Sequence, residues 1–365
     1  MRKVLSLNNP GRKHFYAAAT IDNFIYFSDW WSKGLFRVDL KTKEAELLDV
    51  FKSNNAGKLH GLAFPFENKI WFVPRTFEDE IAIYDVKKGH LEYLKLPQAK
   101  HLGQYELFKD YYIIGEIAWL IPYSYDTVLT INLKNKKMTR LEGGIANVKE
   151  DGWPKFVGSC ICGKKIFLCP WGFNKAVVVD ADTFEMDELG LSIPQRTFRN
   201  VCAINNKLYF IPFDIAKGLL EYDILTTKCA HIELEKNLSG EYRAIYYDEK
   251  IEKLTLFPYT GNEILLLDVH TWESEKIAIH VNGQEMVSNP YWCEVRKMGK
   301  QIWIIAEESG GSELIYEEEG RAESFAPLFP KDMITSEINM MLKQDKHSQS
   351  PKRNVGASIY ERVSG

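Results

Sequence analysis

The chain repeats one short apolar motif seven times, and this repeat constrains the fold more than any other feature. Five copies are an apolar run that ends in proline, and the run from Ile70 to Pro74 (IWFVP) is the clearest of them. The last residues of the seven copies lie 42 to 48 residues apart and are Ser28, Pro74, Pro122, Pro170, Pro212, Pro258 and Ala306. A period of about 40–50 residues with several short strands in each unit is typical of a β-propeller.

A second column of residues confirms the phase of the repeat. Ten or eleven residues after each motif comes an acidic or amide residue, at Asp39, Asp85, Asn132, Asp180, Asp223, Asp268 and Glu317. Asp and Asn side chains can accept hydrogen bonds from the backbone two residues on and so close a turn. We therefore interpret this column as structural, between the third and fourth strands of each unit, and not as a set of metal ligands.

Each unit then holds four short strands, called a to d. In the second unit we predict them at residues 61–66, 69–73, 80–85 and 91–96, where β-branched and aromatic residues are frequent. The turns between strands a and b are rich in residues that tolerate positive φ, as at Asp22-Asn23 and Gly163-Lys164. The sequence predicts an all-β fold: a seven-bladed β-propeller of four-stranded antiparallel blades over residues 1–330.

A C-terminal tail over residues 331–365 follows the repeat. Ile334, Ile338, Met341 and Leu342 have the spacing of one helix face, and a polar stretch comes after them. We expect a short helix there and a flexible segment beyond it.

The pattern of strand b, loop, Tyr-Asp, turn and strand d resembles the Kelch repeat. The clearest instance runs from Lys69 to Val73, then Ala82 to Asp85, and ends at Tyr93. Kelch repeats carry a Gly-Gly pair after strand b, where this chain has Val73-Pro74 and its equivalents. The resemblance implies a propeller, and Kelch-type propellers are mostly binding modules with a minority of enzymes.

Charge and cysteine content bear on partners and location. The net charge of -4 carries no nucleic-acid signature, since a surface that binds phosphates normally shows a clustered excess of Lys and Arg. No apolar run reaches about 18 residues, so we expect no membrane insertion. None of the six cysteines has CxxC spacing, and several lie in apolar runs. Buried free thiols, no disulfide and a cytoplasmic location are the expectation.

A ligand site is expected at the end of the propeller where the b–c and d–a loops lie, because loops on a rigid scaffold favour binding. Each blade places a ring where strand a begins, at His14, His60, Phe108, Phe156, Phe198, Tyr242 and Trp292. These rings either pack inside the propeller or contact a ligand, and the sequence leaves both possibilities open. For Tyr242 we expect a partly accessible ring, because the charged residues Glu241 and Arg243 flank it.

The b–c loops add more rings and charges of both signs. Trp and Tyr combine a flat apolar body with a hydrogen-bond donor, which suits ligands with apolar and hydroxyl-bearing faces. The candidate ligand-binding residues are His14, Trp31, His60, Arg75, Tyr125, Phe156, Trp171, Arg199, Tyr242, Arg243, Trp292 and Glu294.

Metal and catalytic chemistry receive little support from the sequence. His14, His60 and His101 are three imidazoles that zinc would accept, and Glu241, Glu294 and Asp214 offer carboxylates for acid–base work. No nucleophile, zinc or phosphate-loop motif accompanies them. We predict neither a metal site nor a cofactor.

Three functions remain open. The leading hypothesis is a non-catalytic propeller that recognises a peptide, protein or carbohydrate ligand at the b–c loop end. The first alternative is an enzyme, a lyase or hydrolase acting on a sugar or peptide there. The second is a scaffold that acts through its tail or its blade edges.

Overall fold

The computed structural model describes residues 15–29, 32–53, 55, 58–76, 78–98, 106–143, 154–236, 238–286, 292–298, 301–306, 313–317, 320–329, 336 and 340. These residues form seven sheets, each built on four antiparallel strands, which are the blades of an all-β, seven-bladed propeller. The chain divides into two compact units. The first comprises Met1–Lys95, Ser309–Glu313 and Phe325–Gly365, and the second comprises Leu96–Glu308 and Leu314–Ser324.

The first unit contains blades 1 and 2. Blade 1 consists of β1 (Ala17–Ile21), β2 (Phe24–Ser28), β3 (Gly34–Asp39) and β4 (Ala45–Val50). Blade 2 consists of β5 (His60–Phe66), β6 (Lys69–Pro74), β7 (Glu80–Asp85) and β8 (His90–Lys95). The predicted strands of the second repeat are therefore confirmed to within one residue.

The second unit contains blades 3 to 6, each with its strands in the order a, b, c, d across the sheet. Blade 3 consists of β9 (Phe108–Ile114), β10 (Ile117–Pro122), β11 (Leu129–Asn132) and β12 (Met138–Arg140). Blade 4 consists of β13 (Phe156–Cys162), β14 (Lys165–Pro170), β15 (Lys175–Asp180) and β16 (Met186–Ser192). Blade 5 consists of β17 (Phe198–Ile204), β18 (Lys207–Pro212), the 3₁₀ turn η1 (Ile215–Lys217), β19 (Leu219–Asp223) and β20 (Cys229–Ile232). Blade 6 consists of β21 (Tyr242–Asp248), β22 (Lys253–Pro258), β23 (Glu263–Asp268) and β24 (Ser274–Ala278).

Blade 7 carries an additional hairpin on its outer edge. The hairpin consists of β25 (His280–Val281) and β26 (Gln284–Glu285), and the blade itself of β27 (Trp292–Met298), β28 (Gln301–Ala306), β29 (Glu313–Tyr316) and β30 (Arg321–Phe325). Strand β25 pairs with β30 in parallel, which extends this sheet to six strands.

Strand b is the most buried strand of each described blade because both of its faces are covered. In blade 4, Ile166 packs in a cluster with Trp119 of blade 3, whereas the next residue, Phe167, packs in a cluster with Phe210 of blade 5. Successive side chains of a strand point to opposite faces, so one apolar strand serves two neighbouring blades. This explains the continuous apolar runs of the repeat motif.

The acidic column closes the c–d turns, as predicted. In blade 4 the carboxylate of Asp180 accepts hydrogen bonds from the backbone N–H groups of Asp182 (2.9 Å) and Thr183 (3.2 Å). The amide oxygen of Asn132 does the same in blade 3, with Lys134 and Asn135 as donors. Equivalent pairs of bonds occur at Asp39, Asp85, Asp223 and Asp268. The seventh member, Glu317, is exposed, and residues 318–319 of its turn are not described.

The tail and the domain boundary at residue 330 stay predictions. Of residues 330–365 the structure describes Ser336 and Met340 only, so the helix predicted on Ile334, Ile338, Met341 and Leu342 falls outside the described residues. The helical tail is therefore not supported. In the part of the chain that the structure describes, no helix is long and apolar enough to cross a membrane.

Candidate functional site

A one-residue bulge in strand a sets the geometry at the start of six blades. In blade 5, Phe198 pairs with Pro212 and Asn200 pairs with Ile211, which leaves Arg199 as the extra residue. The extra residues of the six bulges are Gly61, Lys109, Val157, Arg199, Arg243 and Cys293. Proline has no N–H to give to a ladder and is tolerated at bulges. The bulge therefore explains why the repeat motif ends in proline.

The residue after the proline is aromatic in four consecutive blades of the second unit. These residues are Tyr123, Trp171, Phe213 and Tyr259, and all four are half-buried. The backbone N–H of each donates to the carbonyl of the residue that precedes strand a. The distances are 2.8 Å from Trp171 to Lys155, 3.0 Å from Phe213 to Thr197 and 2.8 Å from Tyr259 to Glu241. Each ring is thus fixed beside the bulge of its own blade.

Arg199 lies among three of these rings. Its guanidinium carbon is 5.6 Å from the ring centroid of Trp171, 5.5 Å from that of Phe213 and 5.8 Å from that of Tyr259. A cation over an aromatic face within about 6 Å is attracted by the ring quadrupole, by about 0.5–1 kcal/mol at exposed sites. The rings of blades 4, 5 and 6 therefore hold one guanidinium in place.

A second arginine completes this group. The guanidinium carbon of Arg243 is 5.5 Å from the Tyr259 centroid, so Tyr259 is shared by two cations. The rings of Phe213 and Tyr259 are 6.3 Å apart and tilted by 59°. We call Trp171, Arg199, Phe213, Arg243 and Tyr259 the Arg199 surface.

Arg199 forms no ion pair with any carboxylate that the structure describes. It is half-buried, and its positive charge acts on the Cys169 thiol. Burial raises the pKa of Cys169, and Arg199 lowers it by a smaller amount. A guanidinium held by rings, partly removed from water and without an acidic partner among the described residues is suited to bind an anionic group.

Where their side chains are described, the predicted rings at the start of strand a lie inside the fold. His60 is 5% exposed, contacts Phe51 and Phe72, and has its Nδ1 2.8 Å from Ser28 Oγ. Burial lowers the pKa of the His60 imidazole to about 3. In the second unit, Phe156 is fully buried in an edge-to-face pair with Phe173, and Tyr125 is buried with its hydroxyl donating to Pro97 O.

Tyr242 corrects a specific expectation. The charged neighbours Glu241 and Arg243 led us to expect a partly accessible ring, but Tyr242 is only 6% exposed and packs with Ile215 and Leu219. Burial raises the pKa of its hydroxyl to about 12, with a further contribution from Glu263. The expected accessibility of Tyr242 is wrong, whereas the packing alternative describes this ring.

Four predicted residues cannot be placed. His14 and Trp31 lie outside the described residues, and the side chains of Trp292 and Glu294 are not described. Arg75 follows Pro74 in blade 2, where the later blades carry the aromatic residue, and its backbone N–H donates to Leu59 O at 2.9 Å. The structure thus brings together Trp171, Arg199 and Arg243 of the predicted set.

The alternative acid–base and metal residues are only partly described. Asp214 caps η1, because its carboxylate accepts a hydrogen bond from Ala216 N at 3.1 Å. His14 and His101, two of the three imidazoles, are outside the described residues. Among the side chains that are described, no three metal-ligating groups lie together.

Phe213 and Tyr259 belong to the rings of the b–c loops but were left out of the candidate ligand-binding residues, although the sequence contains a signal for them. They occupy the same repeat position as Trp171, directly after the proline of the motif. Alignment of the repeats on that proline would have selected them as a set.

The fold resembles solved propellers at low sequence identity. One is the extracellular domain named as that of a hybrid two component system, BT3049, of B. thetaiotaomicron, with a TM-score of 0.54 and 14% identity over 85% of this chain and 40% of that chain. Another is PorZ of Porphyromonas gingivalis, with a TM-score of 0.53 and 12% identity over 86% of this chain and 38% of that chain. The protein KlAtg21, solved with the coiled-coil of AgAtg16, matches with a TM-score of 0.52 and 12% identity, over 85% of this chain and 97% of that chain. This chain therefore spans less than half the length of the first two.

These similarities support the propeller fold and nothing finer. No family model matches the chain, and no curated protein matches its sequence. Membership of the Kelch family is therefore not supported. The cytoplasmic location is not supported either, because similarities at 12–14% identity carry no information on location.

Proposed function

We propose that this chain is a ligand-binding propeller and that it recognises a peptide or glycan on the Arg199 surface. The observation that carries the proposal is the set of three cation–π distances from Arg199 to Trp171, Phe213 and Tyr259. The five side chains of the Arg199 surface come from three consecutive blades, and all are half-buried. Each therefore keeps a surface that water reaches.

Preorganisation supports a binding role. An arginine side chain loses about 2 kcal/mol of rotamer freedom when it is fixed on binding. The rings around Arg199 fix it before any ligand arrives, so less of that cost falls on association. The rings directly follow strand b of their blades. Strand b is hydrogen-bonded on both edges and packs against both neighbouring blades, so it is a rigid support.

The comparisons are compatible with this function. PorZ is named as a bacterial surface component, and KlAtg21 was solved with a protein partner. At 12% identity these similarities carry the fold alone, so the ligand class rests on the residues of the Arg199 surface.

Arrays of oligosaccharides and of peptides, probed with the purified chain, test the proposal. We expect capture of at least one ligand, with loss of that capture in Trp171→Ala. Trp272→Ala is the matched control. Trp272 is also half-buried and belongs to the same unit, but it lies in a c–d turn, where it packs on Tyr209 and not on Arg199. Capture that survives Trp171→Ala, or no capture on any array, would contradict the proposal.

A further inference from the structure

We infer that the ligand of the Arg199 surface is an acidic glycan, an oligosaccharide of uronate sugars whose carboxylate is bound by Arg199. This inference rests on the proposed function and adds the chemical class of the ligand. Three observations carry it.

The first observation is the charge of the surface. The guanidinium carbons of Arg199 and Arg243 lie 5.8 and 5.5 Å from the same ring, that of Tyr259. Arg199 forms no ion pair with a described carboxylate, so an anionic ligand can compensate its charge. The planar guanidinium matches a carboxylate with two parallel hydrogen bonds.

The second observation is the arrangement of the rings. Trp171 and Tyr259 lie on either side of Arg199, on the blades before and after its own, and Phe213 belongs to the same blade as Arg199. A ligand whose carboxylate reaches Arg199 therefore lies close to half-buried aromatic rings of three consecutive blades. A uronate oligosaccharide has this pattern, because each sugar carries a carboxylate at its edge and C–H groups on its faces.

The third observation concerns the backbone and argues against a peptide. Peptides often bind by adding a strand to an exposed sheet edge through main-chain hydrogen bonds. The backbone N–H groups of Trp171, Phe213 and Tyr259 already donate to carbonyls within their own blades. Strands a and b beside them are paired with each other. This surface offers a ligand its side chains and not a sheet edge.

The test is isothermal titration calorimetry with tetramers of galacturonate, glucuronate, mannuronate and guluronate. Carboxyl-reduced forms of the same tetramers and a tetraglutamate peptide are the comparison probes. We expect at least one uronate tetramer to bind, its reduced form to bind at least about tenfold more weakly, and tetraglutamate to bind more weakly than the uronate.

Variants identify the residue. We expect Arg199→Met to weaken uronate binding at least about tenfold, since it removes a charge-assisted pair of hydrogen bonds. Arg321→Gln removes one exposed arginine from blade 7 and is expected to leave the affinity unchanged. Arg199→Lys keeps the charge but not the planar donors, and we expect an intermediate affinity. If Arg199→Met does not fold, the affinity of Arg199→Lys decides the test.

Four results would overturn the inference. The first three are equal binding of the reduced tetramers, stronger binding of tetraglutamate, and binding of no uronate. In the first two cases, loss of the observed binding in Trp171→Ala would leave the proposed binding function in place. Uronate binding that is indifferent to Arg199 would also overturn the inference.

Discussion

The guanidinium carbon of Arg199 lies 5.5 Å from the ring centroid of Phe213, and the two residues lie at the same end of the paired strands β17 and β18 of blade 5. Arg199 is the bulge residue after Phe198, and Phe213 follows the proline that pairs with Phe198. One inserted residue and one proline, repeated from blade to blade, therefore bring a cation and a ring together. Bulges commonly redirect a side chain in this way next to binding sites.

Tyr242 and Trp171 should differ in their effect on stability. Tyr242→Ala removes a ring packed in the core and is expected to lower the free energy of unfolding by about 3–5 kcal/mol. Trp171 is half-buried, so Trp171→Ala should lower it by less. Urea denaturation of both variants measures the difference. An equal loss would show that Trp171 is a core residue and would weaken its place in the Arg199 surface.

His60 should make stability depend on pH between about 6.5 and about 3. Its pKa is lowered to about 3 in the folded chain, against about 6.5 when unfolded. Below pH 6.5 the unfolded chain binds a proton that the folded chain does not, so stability falls as the pH falls, by about 1.4 kcal/mol per pH unit from this group.

His60→Phe is the matched variant, because Phe108, Phe156 and Phe198 occupy the same position in other blades. Denaturation at pH 7 and pH 5 should show a loss for the wild type that is larger by about 2 kcal/mol than for His60→Phe. The same loss in both proteins would mean that His60 is protonated in the folded state.

The c–d turns should tolerate an amide but not an alanine. The backbone N–H groups of Asp182 and Thr183 lower the pKa of Asp180. The stability that this carboxylate contributes is present above its unfolded pKa, near 4, and is lost as the pH falls through the lower folded value. Asp180→Asn should keep the turn, as Asn132 does in blade 3, and remove the dependence on acid.

Melting temperatures at pH 7 and pH 3 test the turns. Asp180→Ala should melt below the wild type at pH 7, and Asp180→Asn close to it. An Asp180→Asn variant that melts as low as Asp180→Ala at pH 7 would show that the charge, and not the acceptor oxygen, holds the turn.

The cysteines should react with a thiol reagent in the order of their exposure. Five of the six have described side chains, and Cys160, Cys162, Cys169, Cys202 and Cys229 are all free thiols. Cys229 is exposed, whereas Cys169 is buried with its pKa raised by burial. Mass spectrometry of the native protein should find Cys229 labelled first and Cys169 protected until unfolding, with six thiols in denaturant. Four or fewer would indicate a disulfide.

Local chemistry made much of the fold predictable. The positive φ of Asp22, Glu67 and Asn205 matches the two-residue a–b turns, and the Asp column closes the c–d turns. Both are short-range effects that a single side chain determines. The seven-unit phase follows from them.

The site was less predictable because it depends on the bulge. A single extra residue in a strand has no required residue type, and the bulge residues range from Gly61 to Arg199. The charged neighbours of Tyr242 misled us for the same reason. The charges of Glu241 and Arg243 indicate only the exposure of their own positions, since Glu241 precedes the strand and Arg243 is the bulge residue. Tyr242 between them faces the core.

Hydroxyl-radical footprinting of the chain with and without the ligand found on the arrays tests the central claim most directly. The half-buried rings of Trp171, Phe213 and Tyr259 are accessible to oxidation in the free protein. So is the half-buried ring of Trp272, in the c–d turn of blade 6. We predict that the ligand protects Trp171, Phe213 and Tyr259 and leaves the oxidation of Trp272 unchanged. Protection of other residues with Trp171, Phe213 and Tyr259 unaffected would contradict the assignment of the Arg199 surface as the binding site.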